Sequence, residues 1–440
     1  MSTTTVSGTA SGTVAAEHDD FSLTRVPETA RYSWVSVALQ RFGQLSALAQ
    51  FLLGATLGMG LTFGRAVLAI TLGSVMLELA TILVGIAGVK QGLSTSLLAR
   101  WTGFGRKGSA LVGVVVALSL IGWFGVQSAI FAEGLQSLLG GPPAWLWSLI
   151  GGLIVTVIVA AGFRSMTWTA YVTVPAFIAL AAYSIGRELT RHSLSALVSS
   201  APAGPAMSIA SATTLVAGGF IVGAVMTPDM SRYNRSVADV VKQTVVGVTL
   251  GEYVIGLIGV LLAHALRTDN VTAIITTTSG AIGTVILIAS VLKVNDWNLY
   301  SGGLGLVNAI NVLTGKKISR VHVTLTVGVL GSILAAAGIL SHFTTFLDQL
   351  GVLIPPVSGI MIAEYFVVKQ WRGDLDQAKE RGELPAHAPE WVPAGLVAWA
   401  AGWAVGEYWN WGVPALNALA VAVIVYVVLG KAGLVRRLAR

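Results

Sequence analysis

The chain of 440 residues contains no cysteine, which excludes disulfides, thiolate metal ligands and cysteine nucleophiles. Charged residues are also scarce, at 11%, whereas soluble domains have about 25%. Hydrophobic residues make up 54% of the chain, too many for a soluble protein of this size to bury. Apolar stretches of about 20 residues, the length that crosses a hydrocarbon core, recur from residue 37 onward. The composition therefore predicts an all-α integral membrane protein.

Polar segments are confined to the ends of the chain and to short loops. Residues 1–35 are rich in Ser, Thr and Ala and have no apolar signal-peptide core, which predicts a disordered cytoplasmic tail. Residues 434–440 form a short basic tail. The net charge of +7 comes from Lys and Arg in loops between apolar runs rather than on one continuous face. This pattern favours contact with a lipid bilayer and argues against nucleic acid as a partner.

The apolar runs predict twelve transmembrane helices within residues 36–433. We place them at 37–62, 66–89, 109–136, 143–163, 167–187, 206–227, 240–266, 279–312, 321–341, 343–369, 391–411 and 413–433. Most Lys and Arg residues fall on alternate loops, together with both chain ends. By the positive-inside rule, both termini are predicted to be cytoplasmic, in a protein of the cytoplasmic membrane.

Glycines interrupt two spans that lie five helices apart: Gly43, Gly54, Gly58 and Gly60 in the first, and Gly218, Gly219 and Gly223 in the sixth. Corresponding broken helices are typical of inverted-repeat transporters, whose substrate site lies at the membrane midplane. The alternative is that these glycines serve close helix packing. In the tenth span, Pro355 and Pro356 predict a kink, since proline cannot complete the hydrogen-bond ladder of a helix.

The polar residues of the spans do not predict an enzyme. The six histidines are scattered without metal-ligand spacing, and no nucleophile and base occur together at one depth. We therefore expect no metal and no cofactor. A passive channel and a nontransporting receptor stay open as alternatives, although broken helices favour a single occluded site over a water-filled pore.

Seven stretches in order along the chain resemble one transporter family: VPETAR (26–31), TLGMGL (56–61), GLSTSLLAR (92–100), IGWFGV (121–126), TPDMSRYNRS (227–236), NDWNLYSGGLGLVN (295–308) and IPPVSGIMIAEYF (354–366). They are similar to nucleobase:cation symporter family one, in particular to its purine and cytosine permeases. The resemblance implies a LeuT-type fold with two five-helix inverted repeats, 36–189 and 205–370, followed by two additional helices at 390–433. It also implies transport of purines, cytosine, uracil, allantoin or hydantoins.

The resemblance places a flat heterocycle between two aromatic side chains. Trp123 lies in the middle of the third span rather than at the interface, where membrane tryptophans are usually found. Phe220 lies at the expected break of the sixth span, where the backbone of Gly219 joins the site. Stacking on an aromatic ring stabilises a base by about 1–3 kcal/mol. The alternative is that both rings simply fill core volume.

Three amides complete the candidate substrate site. Gln127 lies one turn after Trp123 on the same helix face, and a glutamine at this spacing resembles the hydantoin carriers of the family. Its alternative role is an interhelical hydrogen bond. In the eighth span the resemblance makes Asn295 the better candidate for contacting substrate, with Asn298 bracing the backbone.

Two positions depart from the pattern of cytosine permeases and argue against transferring cytosine selectivity to this chain. Leu120 occupies the position of a glutamine, and Val222 that of a hydroxyl residue. Substrates with paired C=O and N–H groups, such as uracil, hydantoin or allantoin, therefore compete with cytosine.

Lys293 is an ionisable residue within the eighth span, where a charge is costly without a partner or a task. Sodium-coupled members of the family bind the ion with helix 1 carbonyls, here near Gly43, and with two hydroxyl residues at the positions of Lys293 and Val294. We therefore expect no sodium site and propose that the lysine replaces the ion and exchanges a proton. The alternative is a structural lysine that pairs with Asp296 at i, i+3 or with a helix 1 carbonyl near Gly43, with no role in coupling. Glu252 in the seventh span is the second candidate proton carrier.

Overall fold

The computed structural model describes residues 21, 24–38, 47–161, 166–409 and 411–438. Within these residues the regular structure is helical, apart from one isolated bridge between Tyr32 and Asn234. Each of the twelve predicted spans corresponds to a helix, which we number in chain order. They are α1 Ala47–Gly60, α2 Phe63–Gln91, α3 Gly105–Leu139, α4 Ala144–Ala161, α5 Met166–Leu189, α6 Ile209–Val225, α7 Val237–Leu266, α8 Val271–Thr314, α9 Arg320–Ala336, α10 Ile339–Val368, α11 Pro393–Tyr408 and α12 Pro414–Lys431.

Shorter helices connect some of these elements: Glu28–Ala30, Thr95–Ala99, Leu194–Val198, Thr227–Ser231, Arg372–Glu380 and Leu434–Leu438. By length and composition, six helices of the described chain are long and apolar enough to cross a membrane: α2, α3 with its preceding turn, α7, α8, α10 and α12. Helices α1, α4, α6 and α9 are apolar but shorter. The positions of the helices agree with the predicted spans. Length and composition support membrane crossing for six of the twelve described helices α1–α12.

Helix α8 consists of two helical segments separated at Gly280, whose φ of 62° is not helical, and its two ends illustrate how the sequence sets helix boundaries. It begins after Asn270, whose side-chain oxygen accepts a hydrogen bond from the Ala273 backbone N–H at 2.7 Å, a typical N-cap. It ends at Gly315, which has a φ of 72° and donates its N–H to Asn311 O at 2.8 Å. Glycine adopts this left-handed conformation without a steric penalty.

The predicted kink in α10 is confirmed. One helical segment ends at Leu353 and the next begins at Pro355, because two successive prolines cannot donate backbone hydrogen bonds. The helix then widens into a π-turn over Ala363–Val368. A second π-turn interrupts α7 at Leu250–Ile255. Such turns often mark functional positions.

The predicted break in α6 is wrong. The helix runs without interruption from Ile209 to Val225, through Gly218 and Gly219. A side chain at Gly218 would collide with the backbone oxygen of Leu347 in α10. The glycine therefore allows close helix packing, the alternative that the sequence left open, rather than unwinding of the backbone. The first span is likewise helical without interruption over Ala47–Gly60, through Gly54 and Gly58, and its remaining glycine, Gly43, lies outside the described residues.

Helices α3 and α8 form the most extensive helix pair of the described chain. Helix α1 packs closely on α7, and α2 packs closely on α6. In the first pair, a Cβ at Gly54 would collide with the Gly256 carbonyl; in the second, a Cβ at Gly73 would lie 2.5 Å from Val216. Small residues at these crossings bring the backbones together, as is common in membrane helices.

The predicted disordered segment 1–35 does not extend to its predicted end. Val26 is only 2% exposed, and the Arg25 guanidinium donates hydrogen bonds to Gln91 O at 2.5 Å and to Leu375 O at 3.0 Å. Burial lowers the pKa of Arg25 to about 10, so its side chain stays charged at neutral pH. This arginine ties the N-terminal segment to the end of α2 and to the helix that follows α10.

Candidate functional site

Trp123 belongs to a cluster of three aromatic side chains inside the bundle. It is 7% exposed and packs edge-to-face against Phe343 and Phe346 of α10, with ring centroids 6.0 and 5.5 Å apart. Gly122 makes room for this cluster, since a side chain there would collide with the Phe346 ring. Edge-to-face pairs of this kind hold aromatic rings in a fixed orientation.

Phe343 and Phe346 were not predicted from the sequence. Their spacing of three residues, just before the double proline of α10, places them on one helix face. The spacing could have indicated a shared aromatic face on α10. It could not have indicated the contact with Trp123, which depends on the packing of α10 against α3.

Phe220 lies on α6, which also packs against α10. Its side chain is buried, and a Cβ on Gly223 would lie 2.5 Å from its ring. Gly219 faces α1, where a Cβ would lie 3.2 Å from Leu53. Trp123 and Phe220 belong to the same buried cluster. Helix α10 contacts both α3 and α6, and thereby connects the two predicted aromatic residues.

Two buried amides on the closely packed helices α3 and α8 have unused hydrogen-bonding atoms. Gln127 is 2% exposed, and its Oε1 has no hydrogen-bond partner among the described residues. The same holds for Asn298 Nδ2 on α8. A buried polar atom without a partner costs about 1–3 kcal/mol. These two atoms, an acceptor and a donor, are suited to the edge of a polar heterocycle.

The two asparagines of α8 each keep one amide atom without a hydrogen-bond partner in the described part of the chain. The expected contact of Asn295 with substrate stays a prediction. Asn295 Nδ2 donates to Ser128 Oγ at 3.0 Å and to Phe124 O at 3.4 Å, so Asn295 braces α8 against α3. Its Oδ1 has no partner in the described part of the chain. The amide nitrogen that remains free is the one on Asn298.

The ion pair between Lys293 and Asp296, which was the alternative interpretation of this lysine, is not formed in the described structure. The two side chains are close enough to interact electrostatically, but no nitrogen–oxygen distance between them is within 4.0 Å. Lys293 is half-buried and Asp296 is buried. The region around Gly43, the other predicted partner of Lys293, lies outside the described residues.

Glu252 lies in the π-turn of α7 and faces Gln50 of α1. Each side chain is 1% exposed. Glu252 Oε1 and both polar atoms of the Gln50 side chain lack a hydrogen bond of normal geometry within the described residues. Gln50 was not predicted as a site residue, although a glutamine in an apolar span four residues before Gly54 was a visible signal.

The described residues contain no group of three His, Asp or Glu side chains that could hold a metal ion. The central side chains instead combine aromatic rings with amides, and this combination can bind a planar polar molecule. It contains no arrangement of a nucleophile with a base.

Comparison with known proteins identifies the family. Residues 26–429 match the sequence profile described as "Permease for cytosine/purines, uracil, thiamine, allantoin". The chain belongs to this family. It is therefore an integral membrane transporter of nucleobase-like substrates, and its matched relatives are permeases rather than enzymes.

Two curated relatives carry different names. The chain is 29% identical over 416 residues to the cytosine permease of Escherichia coli (strain K12), which covers 94% of this chain and 95% of the relative. It is 26% identical over 369 residues to the hydantoin permease of Microbacterium maritypicum, covering 78% of this chain and 73% of the relative. The transporter therefore aligns with permeases named for two kinds of substrate.

The fold is that of the solved transporter Mhp1. Its inward-facing structure aligns with a TM-score of 0.80 at 19% identity, over 93% of both chains. A closed conformation of the same protein with bromovinylhydantoin bound aligns with a TM-score of 0.75 at 20% identity, over 95% of this chain and 96% of that one. The expected transporter fold is thus confirmed at the level of overall architecture.

Proposed function

We propose that this transporter imports a nucleobase or a related planar heterocycle across the cytoplasmic membrane by alternating access. The ring lies between Trp123 and Phe220, beside the backbone of Gly219. The amides of Gln127 and the α8 asparagines, Asn295 and Asn298, bind the polar edge. The observation that carries the proposal is Trp123, held by two rings of α10 next to buried amides with unused atoms.

The proposed architecture has twelve membrane-spanning helices, arranged as two inverted repeats of five helices plus α11 and α12, with both termini in the cytoplasm. The packing supports it. If α1 corresponds to α6 and α2 to α7, the pair α1 with α7 is equivalent to the pair α6 with α2, and both pairs pack closely. The same correspondence makes α3 equivalent to α8 and α4 to α9, and each of these pairs is in extensive contact.

The preferred substrate class has adjacent C=O and N–H groups, as uracil, hydantoin and allantoin do. Gln127 and Asn298 present an unused acceptor and an unused donor, which match such an edge. Leu120 and Val222, both buried and apolar, offer no side-chain hydrogen bond. Cytosine is the second candidate, supported by the relative of that name.

Coupling to sodium is not part of the proposal. Val294 has no side-chain oxygen to coordinate a cation, and Lys293 brings a positive charge to the predicted ion position. Either the lysine, near Asp296 and the Gly43 region, or Glu252 beside Gln50 carries a proton instead. A carboxyl group buried in a membrane span is typical of proton relays.

The proposal is tested by heterocycle binding to the purified transporter. A thermal-shift screen of uracil, hydantoin, allantoin, cytosine and purines should find at least one stabilising ligand. Trp123→Ala should weaken the binding of that ligand roughly ten- to a hundred-fold, since stacking contributes about 1–3 kcal/mol. Trp145→Ala is the matched control, because Trp145 is 52% exposed on α4 and should leave binding unchanged.

Radiolabel counterflow in proteoliposomes then distinguishes a transporter from the alternatives. A transporter exchanges ligand with saturation, a receptor binds without exchange, and a channel does not saturate. Unchanged affinity in Trp123→Ala would remove the stacking site from the proposal.

A further inference from the structure

A basic pocket lies at the end of the bundle that carries the N-terminal segment, away from the central aromatic cluster. Its volume is about 390 Å³, and it is lined by Lys90, Tyr365, Phe366, Lys369, Arg372 and Asp376. It is formed where α2 and α10 end and the helix Arg372–Glu380 begins. Three cationic side chains and a single carboxylate line it, so the pocket carries a net positive charge.

The carboxylate does not neutralise the lysines. Asp376 Oδ2 accepts a hydrogen bond from Arg372 Nε at 2.8 Å, and its Oδ1 accepts from Gln91 Nε2 at 2.7 Å. Within the described residues, neither Lys90 nor Lys369 has an acidic side chain within 4.0 Å. Both ammonium groups are therefore available to an anion.

The cations are held in position by the surrounding structure. The Arg372 guanidinium lies over the Tyr365 ring, 3.9 Å from its centroid, in a cation–π contact. Lys369 has a left-handed backbone with a φ of 58°, unusual for a residue other than glycine. Its N–H donates to Glu364 O at 2.7 Å. This left-handed residue ends α10 and fixes the direction in which the chain leaves the helix.

The side chain of Glu364 stabilises the connection between α10 and the helix Arg372–Glu380, which carries Lys369 and Arg372. Its carboxylate accepts hydrogen bonds from the Trp371 backbone N–H at 3.2 Å and from the Tyr426 hydroxyl at 3.0 Å. Lys369 and Arg372 are thus presented by a connection that is fixed to α10 and α12. A preorganised site loses less conformational freedom when it binds a ligand.

An apolar surface adjoins the pocket. Val367 is 53% exposed and Val428 of α12 is 59% exposed. The ends of α10 and α12 are in contact, since a Cβ at Gly430 of α12 would lie 2.6 Å from Val368 of α10. A ligand with a phosphate group and an acyl chain would match both the cations and this apolar surface. Basic pockets between helices at the cytoplasmic rim bind anionic headgroups by this chemistry.

We propose that Lys90, Lys369 and Arg372 bind the phosphate of an anionic phospholipid headgroup, with the acyl chains lying along the exposed valines. A free phosphate ester shares the phosphate chemistry but has no chains to occupy the apolar surface. The inference is independent of which heterocycle the transporter carries.

The test uses the full chain in a neutral detergent, titrated with dioctanoyl phosphatidylglycerol while the unfolding midpoint Tm is followed. The lipid should raise Tm with saturation. Lys90→Gln combined with Lys369→Gln should weaken the apparent affinity by roughly five-fold per lysine. The matched control combines Lys242→Gln with Lys379→Gln, which removes the same charge from exposed lysines outside the pocket. It should retain the affinity of the unmodified protein.

Three further ligands identify what the site recognises: dioctanoyl phosphatidylcholine, glycerol phosphate and inorganic phosphate. The proposal expects none of them to match the anionic lipid. If phosphatidylcholine raises Tm as much as the anionic lipid does, the site does not recognise the charge of the headgroup. If glycerol phosphate or inorganic phosphate raises Tm as much, binding does not require a lipid. Equal loss of affinity in both double variants would indicate a general charge effect. Any of these results overturns the proposal, and gel-filtration profiles and helical circular dichroism show whether each variant is folded.

Discussion

Individual polar residues inside this transporter differ in how fully their hydrogen bonds are used. Asn295 uses its amide nitrogen to hold α8 against α3, while Gln127 and Asn298 keep an acceptor and a donor unused. A buried polar group without a partner is destabilising. The unused atoms therefore support the proposed contact of these amides with a polar ligand.

The proposed absence of sodium coupling rests on single residues. If Lys293 and Val294 replace the hydroxyl pair of a sodium site as proposed, uptake at fixed pH should change by less than about two-fold when external sodium is replaced by choline, because valine offers no oxygen ligand. An inward proton gradient should accelerate uptake. The measurement is radiolabel uptake of the heterocycle found by thermal shift, in proteoliposomes.

Glu252→Gln provides the control for the proton route. If Glu252 carries the proton, this variant binds substrate but no longer responds to the gradient. If Lys293 carries it, the variant responds as the unmodified protein does. A steep dependence of uptake on sodium would contradict both routes.

At the scale of helices, glycines set how closely the elements approach one another. Gly54 in α1 and Gly218 in α6 lie against backbone atoms of α7 and α10. Both were read from the sequence as markers of broken helices. Both helices are nevertheless continuous over the described residues, because the neighbouring helix occupies the space next to each glycine. Sequence alone does not distinguish a glycine that unwinds a helix from one that packs against another.

Gly218→Ala should destabilise the transporter by about 1–3 kcal/mol, because the added methyl group would overlap the Leu347 carbonyl and α10 would have to shift. Gly186→Ala is the matched control. Gly186 lies in α5, and a Cβ there would meet no described atom within 4 Å. Thermal unfolding in detergent measures both. A Gly218→Ala protein as stable as the control would show that α6 and α10 separate easily.

At the scale of the whole molecule, the two ends of the bundle differ in charge. The end that carries the N-terminal segment holds Arg25, the basic pocket and an ion-pair cluster in which Arg106 and Lys107 bond Glu390. These hydrogen bonds lower the pKa of Glu390 below its ordinary value. The cluster is therefore formed at neutral pH and weakens only in acid. The end of a membrane bundle that is rich in Lys and Arg is expected to face the cytoplasm.

The absence of native cysteine allows a direct test of this orientation. Ser195→Cys is exposed in the connection between α5 and α6, and Gln377→Cys is exposed in the connection between α10 and α11. In intact cells a membrane-impermeant maleimide should label the cysteine at position 195. It should label the one at position 377 only after permeabilisation. The reverse pattern would invert the proposed topology.

The sequence by itself determined the membrane class, the positions of the helices and the kink at Pro355, because hydropathy and the missing N–H of proline act within a short stretch of chain. The family resemblance also followed from local motifs, and the family and its overall fold were confirmed. The tertiary structure alone decided that α6 is continuous, that Phe343 and Phe346 hold Trp123, and that Arg25 anchors part of the predicted tail. These features depend on which helix faces meet, and in an almost uniformly apolar sequence no periodicity specifies those faces.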